Sequence, residues 1–330
     1  MKISYGLILA GFSVALTSTA YSAEVYRFGG GPSGGGWHPA VSAGTQLINK
    51  NIKGKDYRFQ YSPSQGSVDN VRRVGTGDFA TSWGHVVQAY QSWYGVGLFK
   101  KDGPNRNFRI IANVRAQTQI VAVIAKSPIK SFSDMKGKVV NLLAKGTGSN
   151  VNCQNIFKGL GLFDQIKPRY LGFAAAGRAL GDRQVDVFCS AGAPFKIPAL
   201  TELSMRKPVR YISMTEAEQK TLTSKYKFYA PKTIPVQKDV KGMTEPARSF
   251  SYDVFWLVHK KVSDDAVYNM VKIAAAPENL KKLAATAGYW KTLSGNFGAL
   301  QTHKMFVHPA AARYWRERGV TVPDSIVKGF

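Results

Sequence analysis

From Val25 to Gly192, short apolar runs of strand length alternate with segments of helical period, which limits the chain to folds in which helices pack on a sheet. The strand-like runs are Val25 to Phe28, 57–63, 79–83, 108–114, 120–126, 138–144, 168–173 and 185–192. The helical ones are 40–49, 67–74, 86–93, 151–162 and 175–182. This pattern predicts an α/β protein with a mainly parallel sheet covered on both faces. Between Ser224 and Arg248 the periodicity fails around Pro231, Pro235 and Pro246, which predicts an irregular excursion. A strand over 251–261 follows, and then helices over 263–276, 278–287 and 310–318. A helical tail after two α/β blocks implies that the chain crosses from one lobe to another and returns. On that reading 24–116 with 255–330 form the first lobe and 117–254 the second.

The N-terminal segment has one early Lys, an apolar run from Gly6 to Leu16 and then small residues, the layout of a cleaved export signal over 1–23. Ala20 and Ala23 both suit as its last residue. The run is too short to span a bilayer, so a periplasmic protein without a membrane helix is expected. Lys and Arg number 45 against 20 Asp and Glu, a net charge of +25. Such a field speeds encounters with anions, although a solvated basic surface is the plainest account of it. The basic residues are scattered and export is at odds with a nucleic-acid partner, so none is expected. The only two cysteines, Cys153 and Cys189, meet a compartment in which disulfides form. They are expected close together in one lobe, paired or not, and their spacing fits no metal site.

The segment GGGPSGGGWH, residues 29–38, joins the first strand to the first helix. It lacks the Gly-Lys-Ser/Thr ending of a phosphate loop, because Gly36, Trp37 and His38 stand there. No acidic residue follows at the spacing of a dinucleotide fold. Gly31 to Gly35 fits the G-x-S-x-G pattern of a serine hydrolase, with Ser33 as nucleophile, but in that fold several strands precede the nucleophile. The five histidines show no metal spacing and no cofactor is expected, but His38 and His85 each follow a loop expected at the cleft. What fits is binding: a glycine-rich turn opening a helix presents free amides and a positive dipole end to an anion. A second such turn, Gly146 to Asn150, follows the strand over 138–144. One turn per lobe is the arrangement of a two-lobed clamp. Candidate ligand-binding residues are therefore Gly31, Ser33, Gly34, Gly35, Trp37 and His38 in the first turn, and Thr147, Ser149 and Asn150 in the second. Trp83 and Tyr90 are candidate apolar walls. Arg115 and Gln117, beside the first crossover, are candidate carboxylate partners.

Read together, the stretches around 30–47, 64–83, 129–150, 181–194, 226–235 and 306–320 resemble the TAXI-type solute receptors of TRAP (tripartite ATP-independent periplasmic) transporters. The resemblance covers essentially the whole mature chain. It implies a type II periplasmic-binding fold, two α/β lobes joined by crossing strands. It also implies a receptor, not an enzyme, that delivers a glutamate-like amino acid or a dicarboxylate to an ion-driven permease. By position it places Ser33, Gly34, Gly35 and Trp37 in the first lobe's half of the site, with Ser67 near them. Thr147, Ser149 and Asn150 fall in the second half, with Ser190, Gly192 and the residues up to Pro194 nearby. The chain departs from the family pattern at Ser33, where a Thr is usual, at Trp37, where the aromatic is often Tyr, and at Arg115, where an uncharged aromatic is expected.

Overall fold

The computed structural model describes residues 23–330 except 34, 115, 193, 194 and 196, so most of the expected export signal, Gly34, Arg115 and Pro194 lie outside the described residues. The first half alternates as the sequence predicts. It runs β1 (Glu24–Gly29), α1 (Trp37–Asn51), β2 (Tyr57–Ser62), α2 (Ser67–Thr76), β3 (Thr81–His85), α3 (Val86–Tyr94), β4 (Phe108–Asn113) and β5 (Gln117–Ile124). Then come β6 (Val139–Asn141), α4 (Gly148–Gly159), β7 (Lys167–Arg169), α5 (Phe173–Gly181) and β8 (Val187–Gly192). The chain continues through α6 (Pro198–Arg206), β9 (Val209–Tyr211), α7 (Glu216–Lys225), β10 (Ala230–Ile234), β11 (Ala247–Tyr252) and β12 (Val254–His259). It ends in helices α8 (Asp264–Ala275), α9 (Pro277–Thr286), α10 (Gly298–His303) and α11 (Pro309–Glu317).

Two sheets result. One has the order β2-β1-β3-β12-β4, and the other β10-β11-β5-β8-β6-β7 with β9 also on β5. The chain passes from the first sheet to the second between Asn113 and Gln117, and returns between Tyr252 and Val254. These crossovers correct the expectation of mainly parallel sheets. Of the ten strand pairings among the described residues, four are parallel and six antiparallel. Every antiparallel pairing involves β5, β11 or β12, the strands next to a crossover. A strand that arrives from the other sheet has no crossover helix to turn it parallel to its neighbours. The single strand expected over 251–261 is likewise two, broken at Asp253 where the chain changes sheets. The irregular stretch after Ser224 contains one ordered strand, β10, which takes an edge position where Pro231 costs no interior ladder bond.

β12 reads Val-Phe-Trp-Leu-Val-His with all six residues buried, as a central strand covered on both faces requires. Trp256 stacks on Phe28 with ring centroids 5.2 Å apart and donates its indole N–H to Thr81 Oγ at 2.7 Å. Trp290, from the turn after α9, donates to the Ala40 carbonyl at 2.9 Å, tying the C-terminal helices onto α1. In the second sheet Cys153 of α4 and Cys189 of β8 form a disulfide across 36 residues of sequence, with both residues fully buried. The cysteines are thus paired, the alternative that the spacing left open. Closing a loop of that length restricts the unfolded chain by about 3–4 kcal/mol. The double variant Cys153→Ala, Cys189→Ala is expected to lose about that much stability in urea titration, with an unchanged far-UV spectrum. A loss below about 1 kcal/mol would contradict it.

Candidate functional site

α1 opens after Gly36, and α4 opens after Thr147, whose hydroxyl accepts the Asn150 amide at 3.0 Å. That side-chain cap closes the first turn of α4 at about 1 kcal/mol. The first amides of any helix have no acceptor within it, so both turns present donors. The two turns face one another across a single cavity of ≈ 50 Å³, room for a small solute or a few waters. Gly35, Gly36 and Trp37 line it from one side, and Thr147, Gly148 and Ser149 from the other. The lobes touch here. A Cβ on Gly148 would lie 2.4 Å from His85 Nδ1 and 2.7 Å from Ser67 Cβ; on the first sheet's own side, one on Gly36 would lie 2.5 Å from the Tyr289 ring. Glycine at these two positions is required by close approach.

Four more helix starts reach the same cavity. Gly66 and Ser67 begin α2, His85 caps α3, Phe173 begins α5, and Ile197 with Pro198 begins α6. Ser67 ties two of them together, because its hydroxyl accepts the His85 amide at 2.8 Å and donates to Gln88 Oε1 at 3.1 Å. Six positive dipole ends therefore surround a cavity whose described lining holds no Lys, Arg, Asp or Glu. The one histidine of the described lining, His85, stays neutral. Burial drives its pKa down to about 3, against smaller opposing contributions from Gln117 and Gln88. Gln117 Nε2 donates to Tyr289 Oη at 3.3 Å, while its buried Oε1, beside the His85 ring, makes no hydrogen bond of normal geometry. Trp37 Nε1 and His85 Nδ1 are also buried and unpartnered. Buried polar atoms are rarely left so, and here they line one cavity.

Of the residues singled out in the sequence, Gly35, Trp37, Ser67, Gln117, Thr147 and Ser149 line the cavity. Gly31, Ser33, His38, Trp83, Asn150, Ser190 and Gly192 do not line it, and Gly34 and Arg115 are among the residues not described. Ser33 is exposed on the turn, and His38 Nδ1 lies 2.5 Å from Tyr61 Oη. Trp83 is fully buried beneath the site, edge-on to Trp37 at 5.9 Å between centroids. The amide of Asn150 is spent on the carbonyls of Leu142 and Leu143, fixing the turn before α4. Ser190 is buried one residue before the lining Ala191, and Tyr90 packs on Phe228 and His303 instead. His85, Phe173, Ile197 and Tyr289 also line the cavity and were not among the candidate ligand residues, although His85 follows a loop expected at the cleft. His85 had a local signal, a histidine between a strand and a helix; Tyr289 had none, because only the tertiary return of the C-terminal segment brings it there.

Two lobes closed over one cavity, joined by two crossovers, define the fold of periplasmic binding proteins. XAC2383 from Xanthomonas citri, solved bound to ATP, shares it at a TM-score of 0.52 and 10% identity, over 90% of this chain and 99% of that one. A putative L-cystine ABC transporter protein from Listeria monocytogenes does so at 0.50 and 13% identity, over 80% and 96%. The periplasmic aliphatic sulphonate binding protein of Escherichia coli aligns at 0.47 and 15% identity, over 92% and 96%. The chain itself belongs to the NMT1-like family, which matches residues 28–319. No helix among the described residues is long and apolar enough to cross a membrane.

His85 generates a prediction about pH. In the unfolded chain it takes a proton near pH 6.5, whereas folded it stays neutral down to about 3. The unfolded state therefore binds more protons between those values, and stability falls as pH drops through that window. His85→Gln is expected to flatten the decline of the urea midpoint between pH 7.5 and pH 5; an unchanged slope would argue against a neutral, buried His85.

Proposed function

We propose that this protein is an extracytoplasmic solute-binding receptor that captures a small organic anion between its lobes and delivers it to a membrane permease. The observation that carries the reading is the convergence of six helix N-termini, from both sides, on one cavity with buried unpartnered polar atoms and no charged side chain in its described lining. Backbone amides at helix starts bind anions without a counter-ion of their own. We assign 24–116 with 255–330 to one lobe and 117–254 to the other, moving about the two crossovers. The segment 1–23 acts as the export signal.

The stretches shared with TAXI-type receptors support a TRAP permease as partner and a glutamate-like amino acid or dicarboxylate as solute. The fold shared with the Listeria protein named for an ABC transporter supports a second reading, an ATP-driven permease. Hydrolysis through Ser33 is the weaker alternative, because that side chain is exposed on a turn and is not among the residues lining the cavity.

A bound solute at 100 times its Kd adds about 2.7 kcal/mol to stability, so a melting screen of amino acids, dicarboxylates, sulfonates and sugars is expected to show an upward shift of several degrees with an acid. A shift with a neutral sugar and with no acid would overturn the anion assignment. In cells, uptake that survives ATP depletion and collapses with the ion gradient identifies the TRAP-type partner. Ester turnover abolished by Ser33→Ala would favour the hydrolase.

A further inference from the structure

We infer that the cavity selects an organic anion carrying no ammonium group, so that a 2-oxo acid, a hydroxy acid or a plain dicarboxylate binds in preference to the amino acid of the same skeleton. The inference rests on the receptor reading above and narrows its solute class. Its first ground is the field. Six helix starts of one sign draw in a carboxylate and oppose a –NH3+ group held a few ångströms from it.

The second ground is the donor and acceptor set. An ammonium group taken out of water needs an anionic partner or several good acceptors. The described lining holds no Asp or Glu. The residues not described are 1–22, Gly34, Arg115, Ala193, Pro194 and Lys196, and no Asp or Glu is among them. Carboxylates in the adjoining spaces are turned to other work. Glu202 lines the neighbouring cavity, is largely exposed and lies 4.0 Å from Arg206. Asp239 lines the same neighbouring cavity, and its charge helps to hold the Tyr211 hydroxyl protonated. Asp253 lines a separate cavity with Lys232 and Asn113, and burial raises its pKa.

What the site does offer is neutral. Trp37 Nε1 can only donate, and the residue is 6% exposed. Gln117 Oε1, in a residue 4% exposed, is a neutral acceptor suited to a hydroxyl on the solute, and the other side-chain acceptors of the lining, the hydroxyls of Ser67, Thr147, Ser149 and Tyr289 and the Gln65 amide, are neutral as well. His85 lies neutral beside Gln117.

Calorimetric titration of the purified protein with matched sets tests this. The sets are pyruvate, lactate and alanine; oxaloacetate, malate and aspartate; 2-oxoglutarate, 2-hydroxyglutarate and glutamate; ethanesulfonate and taurine. In whichever set binds, the members without an ammonium group are expected to bind at least about ten-fold tighter, or about 1.4 kcal/mol. An amino member that binds as tightly or more tightly overturns the inference while leaving the anion receptor standing. If no member of any set binds, the receptor reading falls and takes the inference with it. In Gln117→Glu the preference is expected to move about ten-fold toward the amino member; an unmoved ratio removes Gln117 from the specificity argument.

Discussion

Everything at the site depends on the way β12 inserts between β3 and β4 while β11, one residue earlier in the chain, pairs with β5 of the other sheet. This double attachment sets the two sheets so that helix starts from both open toward a common gap. Val86 of α3 donates its amide to the Asp253 carbonyl at 3.0 Å, and Val114 donates to Val254 at 2.9 Å, so both passages are stitched to each other and to the α3 start. The buried Trp256 and Trp290 anchor this junction in the largest core of the molecule. A loss of packing there would be felt as misplacement of amides at the cavity.

The elements of the first half were legible because their apolar periods are local properties: β2, α2, α3 and β4 fall within a few residues of their expected bounds. Direction was not legible. A strand such as Val254–His259 reads the same whether it joins its neighbours parallel or antiparallel, and the answer is set by where the preceding chain has been. The half of the site built from contiguous turns, Gly35 to Trp37 and Thr147 to Ser149, was also legible, since a glycine-rich turn between a strand and a helix has a defined chemistry. The apolar half was not. Phe173, Ile197 and Tyr289 come from three separate segments and look like ordinary core residues in sequence. Trp83 shows the reverse error, an aromatic expected at a wall that packs one layer beneath it.

The pairing of Cys153 with Cys189 gains a meaning beyond stability from its position. Cys153 lies one turn after Ser149 on α4, and Cys189 lies two residues before Ala191 on β8. Gln119 Nε2 sits 3.0 Å and 3.3 Å from the two sulfurs, and the Gln119 carbonyl accepts from Ser249 Oγ at 2.6 Å. The second sheet's share of the cavity is thereby fixed to three strands and one helix at a single buried point.

Main-chain amides at the helix starts ring the cavity beside the side chains of Ser67, His85, Gln117 and Ser149, and its bulk comes from Trp37, Phe173, Ile197 and Tyr289. Substituting a side chain cannot delete a peptide N–H, short of introducing proline. Within a lineage, the shape of the recess is therefore free to drift through its aromatic and aliphatic members, while the dipole field of its helix starts is inherited with the backbone itself.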